Sequence, residues 1–570
     1  MTQEERFKIT SNDYADLIIS YNGNQANLQN FQNGSVQIMN ETYAIVYVPA
    51  ASITGRSIRL FGYSALPKCY GLNIQRSLEA SGIIRIRRLP AFNLRGQGVL
   101  VGIIDTGIDY TNPAFLHADG TSKIVAIWDQ TIFSEDAYPP DMYYGTEYSE
   151  EQINEALRSE NPLEIVPSMD EIGHGTALAG IAAGSEIEQE DFSGVVPDSD
   201  LVIVKLKQAK QNIKNFFAIP DNVPCYQSND IMWAAQYLIG VARRLRRPIS
   251  ICIGLGSSQG AHDGRGSLSN ILAQIADYPN VTVCIAAGNE GNTRRHFYGT
   301  IDTAVGYTTV ELNVGENETG FSLELWGAAP ATYSIDILSP SGEYIPRIAE
   351  SLQVNREVSF VFETTQISID YQMVEAQTGD QLILMRFRNP SSGIWRFQVY
   401  GRGDITGTFH VWLPSDDFIT DRTYFIQPNP YTTVTSPGNS VTPITVTAYN
   451  PNNDVLYQNS SKGYSRINTI KPELAAPGVN ILTTGLNNTF TEITGTSAAA
   501  AHTAGITAMM LEWGTVRGNY PNLDTVEVKK FLIRGARRSE TLQYPNRDWG
   551  YGIIDIFNVF ETLRSSVISR

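Results

Sequence analysis

Ser497 sits in the stretch Thr494-Gly495-Thr496-Ser497-Ala498-Ala499-Ala500-Ala501-His502, where small residues lead to a hydroxyl and then to an alanine run. Alanine is the best helix former, so the pattern predicts a turn that opens a helix running to about residue 513. A hydroxyl at such a turn faces the positive end of the helix dipole and unpaired backbone N–H groups, a good place to stabilise an oxyanion. Alone, it reads as an N-cap, the commonest fate of a serine before a helix. Two upstream stretches change that reading. Val99-Leu100-Val101-Gly102-Ile103-Ile104-Asp105-Thr106-Gly107 is a continuous apolar strand ending in a carboxylate, the pattern of a buried parallel strand whose C-terminal end carries function. Glu171-Ile172-Gly173-His174-Gly175-Thr176-Ala177-Leu178-Ala179-Gly180 puts an imidazole where a glycine-flanked loop enters an alanine-rich helix. A hydroxyl, an imidazole and a carboxylate are the parts of an activated nucleophile, in which the base takes the hydroxyl proton and the carboxylate orients the base.

The order Asp, His, Ser is one of the known orders of the hydrolase triad. Asp105-Thr106-Gly107, His174-Gly175-Thr176 and Gly495-Thr496-Ser497-Ala498 resemble, in that order, the three signatures of the subtilase superfamily of serine proteases. The resemblance implies an α/β fold with a subtilisin-like parallel sheet flanked by helices, and a serine endopeptidase with Asp105, His174 and Ser497 as its catalytic residues. Residues 281–291 deliver Asn289 on a glycine-flanked loop. An asparagine there ordinarily just accommodates a turn, but the position matches the asparagine of the subtilase oxyanion hole. Residues 249–257 form another buried strand that ends in glycines. In the family this strand end pairs with substrate backbone and walls the primary pocket, a role carried here to Leu255, Gly256 and Ser257; glycine permits that close approach. Residues 470–481 match the approach to the serine loop. The Met-Ala-Ser-Pro that usually follows the serine is replaced by Ala498–Ala501, which changes packing but no catalytic group. His502 then reads as a structural helix residue. No cofactor and no metal ligand set is implied; calcium is common in subtilases, but no acidic loop is compact enough to name.

The rest of the chain must position these groups. At 570 residues, 42% of them hydrophobic, it should divide into two to four domains with large cores. No run approaches the roughly 20 apolar residues of a membrane helix. A net charge of −17 argues against nucleic-acid binding. The start, Met1-Thr2-Gln3-Glu4-Glu5-Arg6, lacks a basic segment followed by an apolar one, so no secretory signal is expected. Cys69, Cys225, Cys252 and Cys284 lack metal-ligand spacing; no disulfide and no zinc site is expected, and Cys252 and Cys284 read as buried small hydrophobes. Residues 1–75 read as a separate unit with strand-like stretches at 14–21 and 36–48. From about 304 the βαβ rhythm gives way to short alternating strands at 308–314, 321–325, 333–338, 358–363, 382–387, 395–400 and 407–413. These predict an inserted antiparallel β-sandwich, a jelly roll, over 304–428. It splits the catalytic domain into 76–303 and 429–570. His410 reads as a packed strand residue, and the insertion as structural bracing.

In subtilases the N-terminal position is held by a propeptide that assists folding and inhibits the mature enzyme, its last residues lying in the active site as product. Arg76 stands about 30 residues ahead of Asp105, where related mature chains begin. The resemblance therefore implies autocleavage between Gln75 and Arg76, with Gln75 in the primary pocket and the propeptide bound non-covalently afterwards. An uncut N-terminal domain is the alternative. The N-terminal unit, the sandwich between Asn289 and Ser497, and the segments at 77–83, 98–110 with 112–115, and 128–131 together resemble the clostridial Csp spore-germination proteases. That resemblance implies a protein substrate, a cortex-lytic enzyme zymogen, and a spore-associated protein made in the cytoplasm. A general bacterial subtilase, cytoplasmic and not tied to germination, stays open, as does a non-catalytic scaffold or pseudoprotease.

Overall fold

Near-continuous apolar runs become strands covered on both faces. In this computed structural model they build a nine-stranded sheet whose main path runs Val455–Leu456, Ile444–Asn450, Val281–Ala286, Ile249–Ile253, Leu100–Asp105, Asp200–Lys205, Ile124–Asp129, Thr146–Ser149. The six strands from Ile444–Asn450 to Ile124–Asp129 are parallel, and the two outermost are antiparallel to their neighbours. Leu474–Pro477 also pairs with Ile444–Asn450. The structure describes every residue except 1–2, 25, 27, 29–30, 32–34, 71–78, 91, 350–352, 403–405, 416 and 569–570. One face of the sheet carries the helices His174–Ala183 and Thr496–Leu511, and the other carries Ser228–Leu245 and Ser267–Ala276. The serine helix ends at Leu511 and passes into a π-turn, Glu512–Val516. Cys252 and Cys284 stand in register on adjacent strands, both buried, and burial pushes the Cys284 thiol up to about 12. They are packing residues.

The N-terminal unit is a helix, Gln3–Thr10, and a three-stranded antiparallel sheet ordered Tyr14–Ser20, Tyr43–Pro49, Ser35–Ile38. The single stretch expected at 36–48 is a hairpin instead. Asn40 breaks it: its side-chain Oδ1 accepts from the backbone N–H groups of Thr42 (2.9 Å) and Tyr43 (2.8 Å), which stabilises a turn.

The insertion is two antiparallel sheets facing each other. One runs His296–Thr300, Thr408–Trp412, Gly320–Gly327, Gln381–Arg388, Gln366–Gln372, Gln353–Ser359; the other runs Tyr344–Ile348, Thr332–Leu338, Gly393–Arg402, Tyr307–Val314, Tyr424–Phe425. Phe321, Tyr333, Phe387, Trp395 and Phe409 fill the space between them. The sandwich starts earlier than the expected 304, because His296–Thr300 pairs with Thr408–Trp412. Its polar His296 and small Gly299 hid the alternation. The strand expected at 358–363 is Gln353–Ser359; beyond it the Val361 and Phe362 N–H groups donate to the Glu343 carboxylate (2.7 and 2.6 Å) and leave the ladder. Tyr344–Ile348 and Gln366–Gln372 were not foreseen. His410 is packed as expected, stacked on Trp412 (5.0 Å between centroids) and His296 (5.1 Å).

The three parts share cores. Leu17 and Val46 of the N-terminal sheet pack in one cluster with Phe216 and Phe217 of the catalytic domain and Trp326, Leu384 and Trp412 of the sandwich. Polar contacts lock the same junction. The buried Asp16 carboxylate takes the Lys210 ammonium and hydrogen bonds from Gln227 Nε2 (3.1 Å) and Asn229 Nδ2 (2.8 Å). The Gly55 carbonyl accepts from Arg386 (3.1 Å), and the Tyr63 hydroxyl donates to Glu324. Breaking one half of a buried pair strands the other charge. Lys210→Met is therefore expected to lower stability by about 3–5 kcal/mol. The double variant Asp16→Leu/Lys210→Met should recover most of that loss, as read by scanning calorimetry.

Candidate active site

Asp105 is the last residue of the central strand Leu100–Asp105, where a parallel sheet presents its C-terminal edge. His174 opens the helix His174–Ala183 one residue after Gly173, whose φ of +88° is a left-handed turn natural to glycine. The loop into that helix is fastened by Asp170, which the sequence reading passed over. Its Oδ1 accepts from the N–H groups of Ile172 (3.0 Å) and Gly173 (2.8 Å), and its Oδ2 from Thr176 N–H (3.0 Å) and Oγ1 (2.8 Å). An aspartate just ahead of the glycine that precedes the helix was the available signal.

These supports bring three distant groups into line. His174 Nδ1 lies 2.6 Å from Asp105 Oδ1, and His174 Nε2 lies 3.2 Å from Ser497 Oγ. All three residues are buried. The Asp105 carboxylate is itself held by the Thr106 N–H (2.8 Å), while Thr106 Oγ1 accepts from Gly175 N–H (2.9 Å) and so ties the strand end to the histidine helix. With Nδ1–H donated to the carboxylate, Nε2 is left as the acceptor for the serine proton.

Asn289 follows Val281–Ala286, a strand separated from Leu100–Asp105 by Ile249–Ile253. Its Oδ1 accepts from the Thr496 N–H (3.2 Å) and Thr496 Oγ1 (3.1 Å). Thr496 Oγ1 also accepts from Gly288 N–H (3.0 Å). This threonine, unremarked in the sequence, links the asparagine loop to the serine helix. Ser497 occupies the first turn of Thr496–Leu511, where backbone N–H groups lack helical partners.

At the strand end expected to bind substrate, Ser257 exchanges both backbone hydrogen bonds with Ser436 (2.9 Å each). Leu255 is wholly buried, and Gly256 packs against Thr435. Gln75 and Arg76 lie outside the described residues. His502 is buried, its Nε2 2.8 Å from Ser81 Oγ, and burial pushes its pKa down to about 3: a neutral helix residue without a part in the triad. Among the described residues, no group of three or more His, Cys, Asp or Glu could hold a metal ion, and no helix is long and apolar enough to cross a membrane.

Gly254, next to the strand Ile249–Ile253, tests how tightly the site is built. A Cβ there would lie 2.8 Å from Ser497 Cβ, 2.6 Å from Leu178 Cδ1 and 3.2 Å from His174 Cε1. Displacing reacting atoms by about 1 Å costs on the order of 10²-fold. Gly254→Ala is expected to slow inactivation of the protein by a serine-directed phosphonate about 100-fold, with the melting temperature changed little.

Comparison with known proteins agrees with this geometry. A profile described as the Subtilase family matches residues 96–314 and 420–552, more than half of the chain, and leaves out most of the sandwich. Two curated relatives from Arabidopsis thaliana are subtilisin-like proteases: SBT1.9, 30% identical over 122 residues (19% of this chain, 16% of that protein), and SBT2.4, 28% identical over 127 residues (19% and 15%). The chain thus matches less than a fifth of the length of either. Among solved structures, the Clostridium perfringens CspB protease is similar with a TM-score of 0.76 and 32% identity, over 86% of this chain and 97% of that one. A parallel sheet, three signature motifs and a family match on both sides of the inserted sandwich lead to one conclusion: the chain belongs to the subtilase family, the subtilisin-like serine proteases.

Proposed function

We propose that this protein is a serine endopeptidase that processes its own N-terminal unit and then cleaves protein substrates. The observation that carries the reading is the Asp105–His174–Ser497 alignment, with 2.6 and 3.2 Å between successive partners. Ser497 alone is a weak nucleophile. His174 Nε2 takes its proton as Oγ attacks the scissile carbonyl, and later returns one to the leaving amine. Asp105 holds the imidazole in the required tautomer and stabilises the imidazolium. The tetrahedral oxyanion is met by the Asn289 amide and the Ser497 backbone N–H. In subtilisin, loss of the corresponding asparagine costs on the order of 10²–10³ in rate. Hydrolysis of the acyl-enzyme completes the cycle, and the steps require no cofactor.

Residues 1–75 are the propeptide in this reading, and Gln75–Arg76 is the bond cut. The chain leaves the N-terminal unit at Cys69–Tyr70, which adds an antiparallel strand to Tyr226–Gln227 of the catalytic domain, extended as a substrate would be. The shared core and the Asp16–Lys210 pair favour a propeptide that stays bound once cut. The likeness to the CspB protease along nearly its full length supports a Csp-type role. That role is activation of a cortex-lytic enzyme zymogen in the spore during germination, with the sandwich bracing the enzyme.

Denaturing mass spectrometry tests the reading. The wild-type protein is expected to separate into two pieces at Gln75–Arg76, while Ser497→Ala remains a single chain of 570 residues. Two intact chains would remove self-processing, and cleavage in both would assign the cut to another protease.

A further inference from the structure

Four arginines fall within five positions at the end of the helix Ser228–Leu245: Arg243, Arg244, Arg246 and Arg247. Two of them are used inside the fold. Arg244 Nη2 meets the Glu147 carboxylate at 2.7 Å. Arg247 Nη1 meets Asp200 at 2.6 Å, while its Nε and Nη2 donate to the Gly98 and Val99 carbonyls (3.2 Å each). Arg243 and Arg246 differ from these. Both are exposed, and among the described residues neither has a carboxylate oxygen within 4.0 Å. This is so in a chain with 59 acidic and 42 basic side chains, where an acidic neighbour is the commoner one. Like charges three positions apart at a helix end repel. The helix dipole favours a cation in the last turn, which accounts for Arg243. It does not account for Arg246. That residue caps the helix at φ +55°, the left-handed conformation that glycine ordinarily supplies. Backbone held in this way concentrates at binding sites.

Both arginines line a groove of about 460 Å³, a size that holds small organic ligands. Ile239, Pro248 and Tyr278 give it an apolar lining. Arg243 Cζ lies 5.1 Å from the centre of the Tyr278 ring, so an aromatic face steadies its guanidinium. Asn280, also in the lining, is fixed at φ +65° by its N–H to the Leu523 carbonyl (2.8 Å). Its Oδ1 accepts from Thr515 Oγ1 (2.9 Å), and its Nδ2 has no hydrogen-bond partner among the described residues. The groove is separate from the triad. Pro248 and Asn280 immediately precede the strands Ile249–Ile253 and Val281–Ala286, which puts the groove at the N-terminal edge of the parallel strands; Asp105 ends its strand at the opposite edge.

We propose that this groove is a binding site for an anion, a phosphate or a carboxylate, carried on a small apolar body. The guanidinium groups of Arg243 and Arg246 hold the charged head, each offering the planar fork that matches two oxygens. The anion also relieves the repulsion between the two arginines. Asn280 Nδ2 adds an uncharged donor, and the apolar body covers Ile239, Pro248 and Tyr278.

Isothermal titration calorimetry of the full-length protein tests this with phenyl phosphate, benzoate and inorganic phosphate as probes. At least one of the two aromatic anions is expected to bind at one site per chain, roughly tenfold or more tightly than inorganic phosphate, because its ring adds apolar contact. The tighter of the two tells whether the site is made for a phosphate or for a carboxylate head. Arg243→Gln and Arg246→Gln are each expected to weaken that binding roughly tenfold, the loss of a charge-assisted hydrogen bond. Arg244→Gln, outside the groove, should bind as the wild type does. Arg246→Lys, which keeps the charge and loses the fork, should fall between and carries the test if a glutamine variant does not fold. Absence of saturable binding by both aromatic anions, inorganic phosphate bound as tightly as either, or affinities unchanged in folded Arg243 and Arg246 variants overturns the proposal.

Discussion

The site depends on the bond between His174 Nδ1 and Asp105 Oδ1, 2.6 Å long between residues 69 positions apart. An imidazole is useful as a base only if one tautomer is held, and in a buried site only a charged or strongly polar partner can hold it. The carboxylate must then be placed without freedom to turn away. Three features do this: a central parallel strand that ends at Asp105, Thr106 bridging to Gly175, and Asp170 fastening the loop that delivers His174. Ser497 approaches from the other end of the chain, 323 positions beyond His174, on a helix packed across the same face of the sheet. The close contact of Gly254 with both groups shows how little tolerance remains.

The additional parts of the chain act on that arrangement through packing. The N-terminal sheet, the catalytic domain and the sandwich meet in a common apolar cluster, and the polar groups at the junction are matched across it, Asp16 with Lys210 and Tyr63 with Glu324. Buried charges are tolerable only where paired, so this junction also fixes which faces meet. The sandwich reaches the segment that pairs with Ser257 by a short route, from Trp412 to the Thr432 carbonyl and through His262 to the Val434 carbonyl. Burial pushes the His262 pKa down to about 4, against the pull of the Ser258 and Val434 carbonyls that face its two nitrogens, and the ring serves as a packing spacer.

Much of this was legible in the residues because the three aligned groups sit at sharp local transitions. Asp105 ends an apolar run, His174 begins an alanine-rich helix after a glycine, and Ser497 does the same; each shift of period marks an element boundary. Strands buried on both faces read clearly, since most positions are apolar. The sandwich was legible where burial alternates, as in Tyr307–Val314, and not where polar residues point inward, as in His296–Thr300. The hairpin at Asn40 was hidden because its turn depends on one side chain bonding its own backbone. Asp170 bonds residues just ahead of it, whereas Thr496 joins Gly288 and Asn289, 208 and 207 positions away, and no local pattern carries that pairing.

The central claim is that Ser497 is an activated nucleophile, and locating a covalent adduct tests it most directly. The full-length protein would be treated with a serine-directed phosphonate, digested, and the modified peptide mapped. The account predicts a single stoichiometric adduct on Ser497, abolished by His174→Ala. Failure of Ser497 to react in the folded protein, or an adduct that persists unchanged without His174, would contradict it.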